Sequence, residues 1–413
     1  MAVPTAPEQE TQDRLHFLML NIGHFLDHLF TLIFATVAAV ALTREWGLGY
    51  AELLPYAAPG FFAFGAFALP AGWLADKWSR EGMIAVYFIG IGMASVAASY
   101  VATPFQMGVA LFVIGAFAAI YHPVGLAIVT EKWRNTGMRL AVNGVWGNLG
   151  VGSAALITGY CIDHGGWRSA FVYPGVLSII VGLAYAWAMR TEILAGASLR
   201  AKVAAAQSSA PMTADYRAAL FRISLIVFLT TALGSIIFQS TTFALPKVFD
   251  ERLGGIAPTA SVLGQMAFMV FAVASIGQVV VGHYLDRVGP RRVFMVAAAL
   301  QVVFFGLMPG LRDWSALICA LAFMLAAFGQ IPINDYMIGR MAQGSMRARV
   351  YGLRYVVSFT VLALALPMIS IIYQKWGFDT LFRVLAMAAF IILLAVMRLP
   401  ERLPTPAPAA VTA

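Results

Sequence analysis

Long apolar segments alternate with short polar connections along the whole chain. Each apolar segment has about 20 residues or more, the length that an α-helix needs to cross the hydrocarbon core of a bilayer. No alternation of the strand period competes with them. The predicted spans are residues 16–42, 51–75, 82–101, 105–130, 138–160, 168–190, 220–245, 259–285, 292–309, 314–339, 348–373 and 378–397. We therefore predict an all-α membrane protein of twelve transmembrane helices.

Composition supports a membrane protein. The 413 residues are 61% hydrophobic and 11% charged, with a mean hydropathy of +0.82, whereas soluble proteins carry about 25% charged residues. Residues 1–15 are polar and lack the apolar segment of a signal peptide, so we expect a cytoplasmic tail there and a second one at residues 398–413. Cys161 and Cys319 fall in apolar segments, where buried thiols are expected rather than a disulfide or a metal framework.

The distribution of basic residues indicates the orientation of the chain in the membrane. Of 27 Lys and Arg residues, 20 lie in the N-terminal tail and the connections on its side, and 7 lie on the other side. By the positive-inside rule both termini are cytoplasmic. This bias accounts for the net charge of +8 without a nucleic-acid partner. The longest connection, residues 191–219, is a predicted cytoplasmic linker between six-span halves at residues 16–190 and 220–397.

An internal repeat supports the division into halves. Gly72-Trp-Leu-Ala-Asp76 and Gly282-His-Tyr-Leu-Asp286 end the second and eighth spans, 210 residues apart, and arginines follow each copy. Met138–Gly144 and Met346–Gly352 open the fifth and eleventh spans, 208 residues apart. Two matches at nearly one offset indicate duplication of a six-span unit in parallel orientation.

The repeated loop resembles a known signature. Gly72-x-x-x-Asp76-Lys77-x-x-Arg80 and its second copy resemble the loop 2–3 signature of the major facilitator superfamily. The resemblance implies two pseudo-symmetric six-helix bundles and alternating access. The glycine would let two helices approach closely, and the aspartate would pair with arginine at a cytoplasmic helix end, forming a latch that stabilises the outward-facing state. The latch candidates are Gly72, Asp76, Arg80, Gly282, Asp286 and Arg291.

Three further motifs resemble the fosmidomycin-resistance branch of bacterial exporters within that superfamily. They are His24-Phe-Leu-Asp27-His28 in span 1, Tyr121-His122-Pro123 in span 4, and Asn143-Gly-Val-Trp-Gly-Asn148-Leu-Gly150 in span 5. The resemblance implies proton-driven efflux of a small molecule.

Span 1 carries ionisable residues on one helical face, because His24, Asp27 and His28 are three and four positions apart. An ionised group at bilayer depth costs at least about 2.5 kcal/mol, so its default interpretation is functional. Counted from the cytoplasmic ends of their spans, His24 and His122 both lie roughly 12 Å deep and Asp27 roughly 16 Å deep. We predict that Asp27, His24 and His122 carry protons; a fixed packing network is the alternative.

Other polar residues of the spans are candidates for substrate contact. In the first half they are His28, Tyr121, Trp146 and Asn148, and in the second half Gln239, Gln330, Asn334 and Arg354. Pro123 is expected to break the helix of span 4. The part of span 7 that corresponds to the span 1 cluster has no charge, so we place coupling in the first half.

These observations predict a secondary active transporter, with proton-coupled export (antiport) of a small amphipathic or anionic molecule as the first interpretation. The alternatives are proton-coupled uptake of a small carboxylate, and divalent-metal export using the His and Asp cluster. The sequence has no nucleotide-binding loop and no paired catalytic carboxylates, so we expect no enzyme, no cofactor, no resident metal, and a proton gradient as driving force. We expect a monomer in the inner membrane of a bacterium, with lipid, protons and a small molecule as partners.

Overall fold

The computed structural model describes residues 6–133, 136–195, 214–341 and 344–401, and within these ranges the fold is helical with no strand. The predicted all-α membrane fold is confirmed, and eleven helices of the described part are long and apolar enough to cross a membrane. The helices are α1 Ala6–Val37, α2 Thr43–Glu45, α3 Tyr50–Leu53, α4 Ala58–Lys77, α5 Arg80–Ala98, α6 Pro104–Ala118, α7 Tyr121–Lys132, α8 Thr136–Gly165, α9 Ser169–Ala188, α10 Arg190–Ala195, α11 Ala214–Phe243, α12 Leu245–Arg252, α13 Ala260–Val288, α14 Pro290–Leu307, α15 Asp313–Met341 and α16 Gly344–Val396.

The last element consists of two helices that meet at Gly377. Element α16 covers the predicted spans 348–373 and 378–397, and its backbone leaves the helical region at Gly377, with φ 72° and ψ −179°. Positive φ costs glycine little because it has no Cβ. Gly377 therefore separates two helices, and the break falls in the predicted gap between the two spans.

The fourth span is divided into two helices. Helix α6 ends at Ala118 and α7 begins at Tyr121, with a turn between them. Pro123 is the third residue of α7, where a backbone N–H has no partner inside its own helix. The expected break is present, but it precedes Tyr121 instead of falling at the proline. Tyr121 and His122 consequently occupy the first turn of a new helix.

The chain divides into two compact units. The first comprises Met1–Ala201 with Ala257–Met269, and the second comprises Lys202–Ile256 with Val270–Ala413. The first turns of α13 thus group with the first unit.

Close packing in the first unit depends on small residues. Helix α1 packs on α8, α5 on α9, and α4 on α6. A Cβ on Gly92 of α5 would lie 2.6 Å from the carbonyl oxygen of Gly175 on α9, and one on Gly115 of α6 would lie 2.0 Å from the carbonyl oxygen of Gly60 on α4. Glycine lets the backbones of membrane helices approach this closely, which increases van der Waals contact where no hydrophobic force acts between helices.

The second unit is organised around α16. Helices α11 and α14 pack on α16, and α14 also packs on α15. The rings of Phe305, Phe323 and Phe382 form a buried aromatic cluster, with Phe323 centred 4.9 Å from Phe305 and 5.7 Å from Phe382. At one end of the unit Arg252 of α12 pairs with Asp379, which also accepts a hydrogen bond from the Gly310 backbone N–H at 3.1 Å.

Candidate functional site

The first unit holds a buried cluster of ionisable side chains. Helix α1 presents His24, Asp27 and His28 on one face, and the first turn of α7 places His122 against them. Asp27 is completely buried, and its Oδ2 lies 3.3 Å from Nε2 of His122. This is an ion-pair distance, although neither oxygen of Asp27 has a hydrogen bond of good geometry within the described residues. The carboxylate is therefore compensated mainly by one imidazole.

The histidine rings of this cluster contact one another. The ring centroid of His24 lies 5.1 Å from that of His28 and 5.1 Å from that of His122, and the His28 and His122 centroids are 5.5 Å apart. The equal depth predicted for His24 and His122 thus corresponds to direct contact in the structure. We call His24, Asp27, His28 and His122 the His–Asp cluster.

Hydrogen bonding fixes the tautomer of His24. Its Nδ1 lies 2.8 Å from the backbone carbonyl oxygen of Asn143. A carbonyl only accepts, so Nδ1 carries the hydrogen and Nε2 carries the lone pair of the neutral ring. Nε2 is buried and has no hydrogen-bond partner within the described residues. A free imidazole lone pair in a buried site can accept a proton or bind a metal ion.

Asn143 is the centre of a polar network beside the cluster. The Asn143 amide donates to Asn21 Oδ1 and to the Tyr121 hydroxyl, both at 2.9 Å. Tyr121 donates to the Leu20 carbonyl oxygen at 2.7 Å and stacks on His24 with centroids 5.0 Å apart. All three polar side chains are buried, so this network holds α1, α7 and α8 in register.

Gly147 of α8 faces the ring of His24. A Cβ at this position would lie 2.7 Å from His24 Nε2. One turn further on, a Cβ on Gly150 would lie 2.2 Å from the Phe25 carbonyl oxygen. The helices therefore approach closely at both glycines, whereas Gly144 has no described atom within 4 Å of its Cβ position. Trp146 and Asn148 lie on either side of Gly147, both partly exposed, and their substrate contacts stay predictions.

The substrate-contact candidates of the second unit differ in burial and in hydrogen bonding. Gln330 accepts a hydrogen bond from Gln301 at 2.7 Å, and Asn334 accepts one from Thr230 at 3.1 Å, so both amides tie α15 to its neighbours. Gln239 is equally buried, but its Nε2 has no hydrogen-bond partner within the described part. Arg354 of α16 is partly exposed. Gln239 is therefore a buried amide with donor capacity left for a substrate.

The first latch loop shows its predicted ion pair. Arg80 Nη2 lies 2.8 Å from Asp76 Oδ1, within the turn between α4 and α5. The close helix approach at the glycines stays a prediction: a Cβ on Gly72 would be 3.5 Å from the Pro123 Cβ, an ordinary contact, and one on Gly282 would meet no described atom within 4 Å. In the second copy Arg291 is partly exposed, and the side chain of Asp286 lies outside the described residues.

A family model described as Major Facilitator Superfamily matches residues 20–275 and 227–412. The chain belongs to this superfamily. The membership and the apolar helices make it an integral membrane protein. The membership also agrees with the expectation of a transporter family rather than an enzyme family.

Curated relatives of this superfamily member include two transporters of Pseudomonas putida. The chain is 23% identical to a gallate transporter over 290 residues, 63% of each chain. It is 29% identical to the 4-hydroxybenzoate transporter PcaK over 161 residues, 38% of this chain and 36% of that one. The chain thus matches less than two thirds of the length of either relative.

The fold of this superfamily member is shared by solved structures of other transporters. A D-xylose-proton symporter superposes with a TM-score of 0.73 at 11% sequence identity, covering 93% of this chain and 97% of that one. At this identity the likeness shows the fold alone.

Sequence reasoning about this superfamily member left Asn21 and Asn143 out of the site. Asn21 precedes His24 by three residues, which places it on the same helical face. Asn143 precedes Gly147 by four residues and so shares the face of α8 that meets α1. Helical spacing was therefore the available signal for both residues.

Proposed function

We propose that the chain is a secondary transporter that takes up a small organic carboxylate together with a proton. The observation that supports this most is the buried Asp27 carboxylate beside His122 in the first unit. Ionisable groups buried at membrane depth beside a partner are typical of proton pathways in transporters, and Asp27 beside His122 has this arrangement. Coupling is therefore assigned to the His–Asp cluster.

The membrane potential explains why a proton site supports uptake, and not export, of an anionic substrate. Moving one elementary charge against the membrane potential costs about 2.3 kcal/mol per 100 mV. A cell interior that is negative therefore opposes entry of a carboxylate anion, and co-transport of one proton removes the net charge. Export of the same anion is assisted by the potential and needs no proton. A proton site thus supports proton symport, and the antiport predicted first gives way to the uptake alternative.

The relatives suggest the substrate class. Gallate and 4-hydroxybenzoate, named for the two Pseudomonas putida proteins, are aromatic carboxylates. We extend this class to the present chain. Gln239 would donate a hydrogen bond to the substrate and Arg354 would pair with its carboxylate. The fosmidomycin-resistance branch stays a prediction.

We further propose that the chain works as a monomer in the inner membrane of a bacterium, with both termini in the cytoplasm. The distribution of Lys and Arg, 20 against 7, supports this orientation.

Transport by purified protein in liposomes tests the proposal. With an acidic exterior, we expect labelled 4-hydroxybenzoate or gallate to accumulate in vesicles with the wild-type protein and not in empty vesicles. Asp27→Asn removes the titrating carboxylate but preserves shape, so accumulation should be lost. Exchange of internal for external substrate should persist, because exchange needs no net proton movement.

Asp13→Asn provides the matched control on the same helix. Asp13 pairs with Lys132 at 3.0 Å, outside the His–Asp cluster, so gradient-driven accumulation should be retained. Accumulation by Asp27→Asn at the wild-type rate contradicts the proposed coupling. If the gradient drives both carboxylates out of the vesicles and never into them, the proposed direction is contradicted.

A further inference from the structure

We propose that His24, His28 and His122 form a binding site for one divalent transition-metal ion of the Zn²⁺, Co²⁺ or Ni²⁺ class. Each residue offers one donor nitrogen, and the three nitrogens lie within 4.8 Å of one another. Two residues come from one turn of α1 and the third from α7. The site lies within the first unit and does not rest on the proposed transport function.

The hydrogen bonding of His24 suits a metal ligand. A ligating histidine usually donates its other ring N–H to a carbonyl or a carboxylate, which fixes the ring and makes the free nitrogen more basic. His24 does this through Nδ1 and the Asn143 carbonyl oxygen at 2.8 Å. Its Nε2 is left buried and without a hydrogen bond in the described part. That nitrogen is an unsatisfied polar atom that a metal ion would satisfy.

Gly147 provides room over the face of the same imidazole ring. A Cβ at position 147 would lie 2.7 Å from His24 Nε2 and 2.8 and 2.9 Å from the two adjacent ring carbons, which places it over the ring face. Glycine therefore keeps that face of the ring free of side-chain atoms. Zn–N bonds are about 2.0–2.1 Å long, so the imidazoles have to converge further on binding, which rotation of side chains on two separate helices permits.

Asp27 would supply negative charge near the metal ion and would orient the ring of His122. Its Oδ2 lies 3.3 Å from His122 Nε2, as in the carboxylate–histidine pairs that support metal ligands. The carboxylate is completely buried, and it would offset part of the dication's charge in a region of low dielectric. Asp27 is thus a positioning residue for the site.

The donor set selects the kind of ion. Imidazole nitrogen suits Zn²⁺, Ni²⁺, Co²⁺ and Cu²⁺, whereas Mg²⁺ and Ca²⁺ prefer sets of oxygen ligands. Three histidines leave a fourth position of a tetrahedral ion open. Because the ion would hold α1 and α7 together at the coupling cluster, we expect it to inhibit flux. The predicted export of a divalent metal through this cluster stays a prediction.

Metal binding by the purified full chain tests the site. We expect calorimetry to detect one Zn²⁺ or Co²⁺ per chain, with weaker Mn²⁺ binding and no Mg²⁺ binding. His24→Ala, His28→Ala and His122→Ala should each remove this event, and Asp27→Asn should weaken it by about 10–100-fold. His164→Ala and His283→Ala are the matched controls, because both histidines are exposed and lie outside the cluster, and binding should be unchanged.

A measurement on the wild-type chain avoids dependence on the folding of variants. X-ray absorption at the zinc edge should show a shell with three imidazole ligands. An oxygen-only shell, no stoichiometric Zn²⁺ binding, or equal binding by the cluster and control variants overturns the metal site. None of these results affects the proposed proton-coupled uptake, which the flux of Asp27→Asn tests without metal.

Discussion

His24 and Gly147 face each other across the contact between α1 and α8, with no room for a methyl group between them. A Cβ at position 147 would approach the ring to between 2.7 and 2.9 Å. This contact fixes where the imidazole lies relative to Asn143, to which it donates a hydrogen bond. The geometry of the His–Asp cluster therefore depends on a residue that has no side chain.

Gly147→Ala should impair the cluster without breaking the fold. The added methyl group displaces the His24 ring, so we expect proton-driven uptake and Zn²⁺ binding to fall together. Gly144→Ala is the matched control, because it has no described atom within 4 Å of its Cβ position. Alanine favours a helix over glycine by about 1 kcal/mol, so the control should be at least as stable as the wild type. Flux assays on Gly147→Ala and Gly144→Ala check the predicted loss of uptake. Equal flux by the two variants would argue against the steric role of Gly147.

Gln239 and Gln330 should respond differently to replacement by alanine. Gln330→Ala removes the nearer of the two acceptors of Gln301, and an unsatisfied buried donor costs about 1–3 kcal/mol, so the melting temperature should fall. Gln239→Ala removes an amide whose Nε2 is not hydrogen-bonded, so stability should change less while the KM for the carboxylate rises. Thermal unfolding in detergent and uptake kinetics separate the two effects. An unchanged KM for Gln239→Ala would remove it from the substrate site.

Asp76→Asn should change the conformational equilibrium more than stability. The Asp76 side chain is 62% exposed, and an exposed ion pair contributes only about 0–1 kcal/mol. If the loop acts as a latch on the outward-facing state, its loss should favour the inward-facing state. Alkylation of Trp146→Cys from each side of oriented vesicles measures this, with little background because Cys161 and Cys319 are buried.

A second exposed ion pair gives the control for the latch variant. Glu10→Gln disrupts the pair of Glu10 with Arg14, which has the same i,i+4 spacing and a carboxylate of similar exposure, 66% against 62% for Asp76. This variant should leave the alkylation pattern at position 146 unchanged. Identical patterns for Asp76→Asn and Glu10→Gln would count against the latch.

The sequence predicted the positions of the membrane spans and the proximity of two histidines of the His–Asp cluster. Span positions followed from hydropathy because the bilayer demands about 20 apolar residues per helix. The proximity of His24 to His122 followed from their depths, since helix rise is constant. Gly377 separates the last two helices in the gap between two predicted spans, so this boundary also followed from hydropathy.

Helix packing determines which polar residues of the spans are hydrogen-bonded, and the sequence alone did not predict this. Both Gln330 and Gln239 are polar residues in apolar spans, but only the structure shows that Gln330 is hydrogen-bonded to another helix. The same holds for Asn143, whose backbone carbonyl and side chain both act in the site. Such roles depend on the rotation of helices about their axes, and hydropathy determines that rotation poorly in helices that are apolar on most sides.

The most direct test of the central claim is a simultaneous record of substrate and proton entry. Vesicles carry a pH-sensitive dye in the lumen, labelled 4-hydroxybenzoate is added outside, and empty vesicles correct for passive entry of the protonated acid. We predict that the wild-type protein acidifies the lumen as substrate enters, and that Asp27→Asn does not acidify it although it still exchanges substrate. Substrate accumulation by the wild type without acidification, or acidification by Asp27→Asn at the wild-type rate, would contradict coupling through the His–Asp cluster.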